Sequence, residues 1–332
     1  METPEGRIRA QPLVVLGGQS SAPYRTYAPD LAPTATGLIA QLTRQLYPEL
    51  DPAGTSQKQT TNDSTRTMTR DELFEKRIAD LEDKADRENN PALKKVAYVE
   101  AALAPEPKDY ARSRRIAEKI DDNDLRTDAI SFVLYRAALS FVGKSDFDKA
   151  SELASQISDV PRRAVVQLAI AQKLLAAKSE PAERALLEQK VLDLLNEVER
   201  DLTKQEPSAK IARILLGRTA VLAKLDKEQA LTTMEHTAQV INKLETFDLR
   251  DTAAPDFGIS AVPSSGGLVD KHRPGFSFRN AIEPLVATNF EELAASVDRF
   301  AAKEIRGLAR LEVAKAYLRQ QPKATAVPAI KN

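Results

Sequence analysis

The segment DYARSRRIAEKIDDNDLR at residues 109–126 is followed by a similar one, DFDKASELASQISDVPRR, at residues 146–163. The two segments start 37 residues apart, and in each an aspartate and an aromatic residue precede apolar residues at helical spacing and then an arginine. A repeat of this length with two helices in each unit predicts stacked hairpins, because one hairpin cannot bury its apolar face alone.

A third copy of the pattern begins at Phe290, far along the chain. Six of its residues align with residues of the second copy. In order, Val297, Phe300, Arg306, Leu308, Leu311 and Ala314 align with Ala154, Ile157, Arg163, Val165, Leu168 and Ala171. Each unit then consists of a helix opened by an aromatic residue, a short turn, an arginine and a second helix rich in small residues.

Helices are predicted throughout the middle of the chain. Thr69 and Glu72 match a capping box, which predicts that the ordered body starts here. The predicted helices are 70–88, 92–104, 109–120, 124–142, 146–157, 161–177, 181–204, 207–224, 226–245, 289–300 and 303–319. Connections of about two to five residues make successive helices antiparallel neighbours. The helix at 124–142 is apolar on nearly all sides, so we expect it to be buried between layers.

The remaining segments divide the chain. Residues 1–68 are predicted to be a weakly ordered N-terminal segment with one helix, at 37–47, and a flexible linker at 54–68. Residues 69–245 form the helical-repeat body. Residues 246–286, rich in Pro and Gly, are predicted to be an irregular loop insertion, 287–320 a C-terminal hairpin packed on the body, and 321–332 a tail.

These patterns resemble two groups of proteins. The spacing within Asp146–Ala177 resembles the tetratricopeptide-like helical repeats, although the Trp and Gly-Tyr positions of that motif are missing. The segments 122–126, 131–138 and 306–314 resemble uncharacterised bacterial helical-repeat proteins of acidobacterial type. The first resemblance implies an all-α, tetratricopeptide-like α-solenoid. The second implies no known activity, but it implies a natural protein that is longer at its N-terminus and carries an export signal.

Composition excludes several function classes. Lys plus Arg and Asp plus Glu each total 48, so no field of one sign is available to attract nucleic acid. No run of about 18 apolar residues is present to span a bilayer. Cysteine is absent, which removes thiol catalysis, disulfides and cysteine-ligated metals. The first residues show no export signal, and nothing in the composition selects a compartment.

No catalytic or metal site is predicted. The two histidines, His236 and His272, have no second histidine at ligand spacing, and HExxH, GxSxG, P-loop and GxGxxG motifs are absent. No paired carboxylates can be selected from the many charged residues on helix surfaces. We therefore predict no cofactor.

Three equivalent arginines are the first candidates for binding a partner. Arg126, Arg163 and Arg306 each lie near the start of the second helix of a unit. They could face a groove and hold acidic peptide side chains in bidentate pairs. Alternatively, each could pair with a carboxylate in the adjoining turn, such as Asp122 or Asp159, although these aspartates are best interpreted as helix caps.

The loop insertion supplies the second group of candidates: His272, Arg273, Phe276 and Phe278. The alternation at 276–278 is that of a short strand with both rings on one side. Exposed aromatic rings beside a basic pair can anchor a partner protein. Alternatively, the rings fix the loop onto the helical body.

These observations favour a non-enzymatic protein-interaction scaffold or peptide-binding module whose partner is a protein or peptide. Two alternatives remain open: a helical enzyme with an acidic site assembled from distant helices, and an architectural protein of the cell envelope. Converging carboxylates with raised pKa values in a deep pocket would favour the enzyme. A shallow groove lined by mixed charge would favour the scaffold.

Overall fold

The computed structural model describes residues 69–177, 180–250, 258–259, 276–286 and 290–320. Within these ranges the chain forms twelve α-helices, one short 3₁₀ turn and no β-strand, which confirms the all-α prediction. The predictions for residues 1–68, for His272 and Arg273, and for the tail at 321–332 lie outside the described residues.

The helices are numbered in chain order, and a 3₁₀ turn at Pro107–Asp109 precedes the third. They are α1 (Arg70–Arg87), α2 (Pro91–Leu103), α3 (Tyr110–Ala117), α4 (Asn123–Gly143), α5 (Phe147–Ser155), α6 (Val160–Ala176), α7 (Pro181–Leu202), α8 (Ala209–Leu222), α9 (Lys227–Ile241), α10 (Phe278–Val286), α11 (Phe290–Val297) and α12 (Lys303–Gln320).

Polar side chains fix where several helices begin. The predicted capping box is present: the Glu72 amide donates to Thr69 Oγ1 at 3.2 Å, and the Thr69 amide donates to the Glu72 carboxylate at 2.8 Å. Asp122 and Asp159 accept hydrogen bonds from the first-turn amides of α4 and α6, which confirms them as N-caps. Short capped turns therefore set the hairpin geometry.

The helices pack in a regular order. Each even-numbered helix from α2 to α12 contacts the next even-numbered helix, and each also contacts the odd-numbered helix that precedes or follows it. The even-numbered helices thus form a continuous series, with odd-numbered helices packed beside it. This arrangement buries one apolar core that runs from α1 to α12.

Two helices lie deepest in this core. Ten side chains of α4 are buried, among them Phe132, which confirms the prediction that this helix is enclosed. Helix α8 is buried over twelve consecutive residues, from Ile211 to Leu222, because α6, α7, α9 and α10 all contact it. Its buried residues include two arginines, Arg213 and Arg218, and both need partners inside the protein.

The region 246–286 differs from its prediction as an irregular loop. Its last part, Phe278–Val286, is helix α10, which contacts α8 and α12. Pro284 lies inside this helix and concealed it in the sequence, because proline normally ends or kinks a helix. The Asn280 amide donates to Ser277 Oγ at 3.2 Å near the start of the helix, and four buried apolar side chains after Phe278 hold it in place.

None of the helices described has both the length and the apolar character needed to cross a membrane.

Candidate functional site

A groove of about 490 Å³ crosses the even-numbered helices α6, α8 and α10. It is lined by Ala169, Gln172, Lys173, Ala176, Ala220, Lys224, Asn280, Glu283 and Pro284. Ala169 and Ala220 are buried and form a floor of methyl groups, while Lys173, Lys224 and Asn280 are exposed at the rim. Small residues in the facing turns keep this floor open, since a larger side chain would fill it.

The proline of α10 removes one backbone hydrogen bond beside this groove. Pro284 has no amide hydrogen, so the carbonyl oxygen of Asn280 does not receive the hydrogen bond that position i+4 of a helix normally donates. Both residues line the groove. The side-chain amide of Asn280 is exposed at the same place, so the groove contains hydrogen-bonding groups beside its apolar floor.

The basic and acidic side chains of the groove differ in whether they have ionic partners. Within the part of the chain that the structure describes, the side-chain ammonium groups of Lys173 and Lys224 form no ion pair or hydrogen bond. Glu283, in contrast, lies 2.6 Å from Arg279 Nε and 3.0 Å from Arg319 Nη1 through the same carboxylate oxygen. The one acidic side chain is therefore neutralised locally, and two lysines leave the groove positive.

The carboxylates with a shifted pKa are all shifted downwards. Among the described residues these are Asp86, Glu106, Asp122, Glu199, Asp248 and Asp298. The hydrogen bond from Lys95 lowers the pKa of Asp122 most, and that from Arg310 does so for Asp298. A general acid needs a raised pKa, so these groups have the properties of structural anions.

The three equivalent arginines make the same contact in three turns. Arg126 Nη1 donates to the carbonyl of Ile120 at 2.9 Å, Arg163 Nη1 to Ile157 at 2.8 Å, and Arg306 Nη1 to Phe300 at 2.9 Å. Each carbonyl belongs to a buried residue just after the preceding helix, where backbone acceptors lack intrahelical donors. The arginines therefore tie the second helix of each unit to the end of the first.

The alternative prediction, that these arginines pair with carboxylates such as Asp122 and Asp159, is wrong. The Asp122 carboxylate accepts from the Leu125 amide and lies 2.8 Å from Lys95, and Asp159 accepts from the Arg162 amide. Both aspartates are thus engaged as caps, and Arg126 bonds Asn123 instead. None of the three arginines lines the groove on α6, α8 and α10. Their role in binding a partner stays a prediction.

The aromatic residues of the loop insertion are not exposed. Phe276 is 2% exposed and lies against Gly217 and Leu168, and Phe278 is 1% exposed and packs edge-on against Phe300, with 6.2 Å between ring centroids. The expectation of exposed anchors on a short strand is therefore wrong, and Phe278 instead begins a helix. The rings fix the end of the insertion onto the body, as the alternative held. His272 and Arg273 lie outside the described residues.

Sequence reasoning missed a charged cluster inside the body. Arg218 on α8 is 5% exposed, and its Nη1 lies 2.7 Å from Glu199 Oε2 on α7. Its Nε donates to the Leu195 carbonyl at 2.9 Å. Glu199 Oε1 lies 2.8 Å from His236 Nδ1 on α9, so the carboxylate bridges an arginine and a histidine from two other helices. An arginine amid apolar residues, as in Leu215-Leu216-Gly217-Arg218-Thr219, was the available signal.

A second buried arginine connects distant parts of the chain. Arg162 lies over the Phe132 ring at 5.3 Å, donates to the Asp128 carboxylate at 2.5 Å, and donates to the Gly258 carbonyl at 3.1 Å. Gly258 is 96 residues away in sequence. The insertion after α9 is thereby attached to the first turn of α6.

No family model matches the chain, and neither a curated protein nor a solved structure shows significant similarity to it.

Proposed function

We propose that the chain is a non-enzymatic protein-interaction module that binds a short acidic peptide segment in the groove across α6, α8 and α10. The observation that carries this proposal is the pairing of an alanine floor with two lysines, Lys173 and Lys224, that have no ionic partner among the described residues. Charge complementarity then selects a partner segment that contains Asp or Glu.

The architecture is consistent with this use. We propose that the serial contacts of the even-numbered helices are those of a tetratricopeptide-like solenoid, in which hairpins stack and present an extended binding surface. The groove crosses three successive members of that series. A partner segment lying across them would contact residues from several repeat units at once, as is usual for such proteins.

The size of the groove limits the partner to a segment rather than a domain. A volume of about 490 Å³ is within the range of about 300–1,000 Å³ that is typical of ligand sites. Exposed ion pairs contribute only about 0.2–1 kcal/mol each, so an apolar side chain must also contact Ala169 and Ala220. We therefore expect a peptide with acidic residues on both sides of one apolar residue, and binding that weakens as salt is added.

The enzyme alternative is less consistent with the groove. Its polar side chains are two lysines, two amides and a glutamate that pairs with Arg279 and Arg319. A site of mixed charge that is open to solvent supports recognition of a surface rather than acid–base chemistry on a buried substrate.

Fluorescence anisotropy with labelled peptides tests the proposal. A peptide with Glu residues around a central Leu is compared with the same peptide in which Gln replaces each Glu. We expect the acidic peptide to bind at least ten times more tightly, and the double variant Lys173→Gln/Lys224→Gln to remove most of this difference. Ala176→Trp, at the exposed edge of the groove, should block both peptides.

The matched control is Lys76→Gln/Lys243→Gln, which removes two exposed lysines outside the groove. This control should bind the acidic peptide as the unmodified protein does. Equal binding of the two peptides, or an equal loss in both double variants, would contradict the proposed site.

A further inference from the structure

The outward face of α12 carries apolar residues in a regular stripe. Leu311 is 49% exposed and Leu318 is 71% exposed, and the stripe also includes Gly307 and Ala314. The intervals of four, three and four residues place all of them on one side of the helix. An alanine methyl group at Gly307 would meet nothing within 4 Å, so the surface beside it is open.

The opposite side of α12 faces the protein. Ala309, Val313 and Ala316 are buried there, half a helical turn away from the stripe. Because α12 already packs on α10 and α11 with this buried side, the stripe is an additional apolar face beyond what the fold itself uses. The two exposed leucines are aligned on one face, and a contiguous apolar face is typical of a protein-interaction surface.

We propose that a second copy of this chain covers the stripe, with the two α12 helices antiparallel around a two-fold axis that passes between residues 312 and 313. The stripe is complementary to itself in this arrangement. Leu311 lies opposite Ala314 of the second copy, and Leu318 lies opposite Gly307, since each pair is equally distant from the axis. Every large side chain therefore meets a small one, as in close helix packing.

A parallel pairing lacks this complementarity. It would place Leu311 against Leu311 and Leu318 against Leu318, while leaving a gap between the two copies of Gly307. The antiparallel arrangement also brings Glu304 within one helical turn of Arg319 of the second copy, which is at the same time 3.0 Å from Glu283 of its own chain. The cation closest to the axis on the same flank, Lys315, is already paired with Glu312 at 2.7 Å.

The predicted dimer is weak. Helix α12 has 18 residues and is therefore about 27 Å long, so one helix pair buries less than the roughly 1,200 Å² of the smallest stable protein interfaces. We expect a concentration-dependent equilibrium. The stripe shares no residue with the peptide groove, which lies on α6, α8 and α10.

Disulfide trapping tests the arrangement, because the chain has no cysteine and any introduced thiol is unique. The full-length variant Gly307→Cys/Leu318→Cys should form a covalent dimer on mild oxidation, since each thiol meets its counterpart across the axis. Leu318→Cys alone should form no covalent dimer. In the antiparallel arrangement the two copies of residue 318 are about 16 Å apart along the helices, beyond the roughly 7 Å between Cα atoms that a disulfide permits.

Sedimentation over a hundredfold range of concentration provides the second measurement. The dimer fraction of the unmodified chain should rise with concentration. Leu318→Glu should lower the association constant of the dimer at least tenfold. Leu186→Glu changes an equally exposed leucine on α7 and should leave the dimer unchanged. A chain that stays monomeric throughout, efficient cross-linking of Leu318→Cys alone, or equal effects of the two glutamate variants would overturn the proposal.

Discussion

Arg163 on α6 and Asp201 on α7 form an ion pair with 3.0 Å between Nη2 and Oδ2, and only 20% and 16% of the two side chains are exposed. The same arginine donates through Nη1 to the Ile157 carbonyl, as Arg126 and Arg306 do in their own turns. Arg163 therefore connects three segments: the end of α5, the start of α6 and the last turn of α7.

All three arginines bond a turn carbonyl, and Arg163 also forms a largely buried ion pair. These contacts predict how strongly each arginine stabilises the protein. Arg163→Gln should lower the free energy of unfolding by about 1–3 kcal/mol, because it leaves the largely buried Asp201 carboxylate with only the more distant Arg200, at 3.7 Å. Arg126→Gln and Arg306→Gln should each cost about 0.5–1.5 kcal/mol, the range for one net hydrogen bond. Urea unfolding of the three variants measures the order. Negligible losses at all three positions would instead favour a role in partner binding at a site other than the groove on α6, α8 and α10.

Phe132 gives a prediction for the core. Its ring is fully buried in α4, 6.1 Å from the Tyr135 ring, and carries the Arg162 guanidinium over one face. Phe132→Ala should cost about 3–5 kcal/mol, as large-to-small changes of aromatic core residues do. Leu186→Ala, at a position 71% exposed, should change stability by less than about 0.5 kcal/mol. A loss below about 1 kcal/mol for Phe132→Ala would contradict the packing of α4.

Helix positions were predictable because their signals are local. A cap such as Asp122, an apolar period and a short turn all lie within a few residues of one another, so the sequence places α1 to α9, α11 and α12 with small errors at their ends. Helix α10 was missed because its local signal, Pro284, opposes helix formation. The contacts that overcome it come from α8 and α12 and are distant in sequence.

The roles of the arginines and the groove could not be predicted in the same way. Arg162 bonds a carbonyl 96 residues away, and Arg218 bonds the carbonyl of Leu195. Backbone acceptors have no sequence signature, since every residue supplies one. The groove is lined by turns of three helices. Its alanines cannot be told from other helical alanines in the sequence. Its position depends on how the helices stack, which the repeat pattern indicates only in outline.

Glu199 links stability to acidic pH. Burial would raise the pKa of this carboxyl, but the hydrogen bond with His236 and the charge of Arg218 lower it below its ordinary value. The charged form therefore stabilises the fold at pH values above the ordinary pKa, and this contribution is lost as the pH falls through the lowered pKa.

The variant Glu199→Gln should cost about 1–3 kcal/mol at pH 7, because the buried Arg218 loses its anion. Its deficit relative to the unmodified protein should shrink as the pH approaches about 3, below the ordinary glutamate pKa. Glu197→Gln, which changes a more exposed neighbour on α7, is the control and should show neither effect. A deficit that is constant with pH would contradict the assigned role.

Tyr98 on α2 links stability to alkaline pH. Its hydroxyl donates to the Asp86 carboxylate on α1 at 2.5 Å, and burial together with this hydrogen bond raises the pKa of Tyr98 to about 12. The protonated form is favoured in the fold, so its contribution is complete below the ordinary pKa of about 10 and is lost as the pH rises to about 12. The stability difference between the unmodified protein and Tyr98→Phe should therefore decrease over this interval in urea titrations. A difference that grows with pH would contradict the assignment.

Two helical glycines should respond in opposite ways to the same change. In an open position, Gly→Ala stabilises a helix by about 0.8–1 kcal/mol, because alanine loses less backbone entropy on folding. Gly307 on α12 is such a position, since an added methyl group meets nothing within 4 Å, and Gly307→Ala should raise the melting temperature. At Gly217 on α8 the same methyl group would lie 2.9 Å from Phe276 Cδ1 and 3.3 Å from Leu168 Cδ1. The Phe276 ring is 2% exposed and enclosed by the body, so it cannot move aside without losing its packing. Gly217→Ala should therefore lower the melting temperature despite its better helix propensity.

A double variant tests the contact between Gly217 and Phe276 directly. Replacing the ring by a smaller side chain in Gly217→Ala/Phe276→Leu should cost less than the sum of the two single changes, because both act on one contact. Melting curves recorded at low protein concentration, where α12 is unpaired, give all four values. If Gly217→Ala stabilises the protein as much as Gly307→Ala does, Phe276 does not pack against α8 as the structure places it.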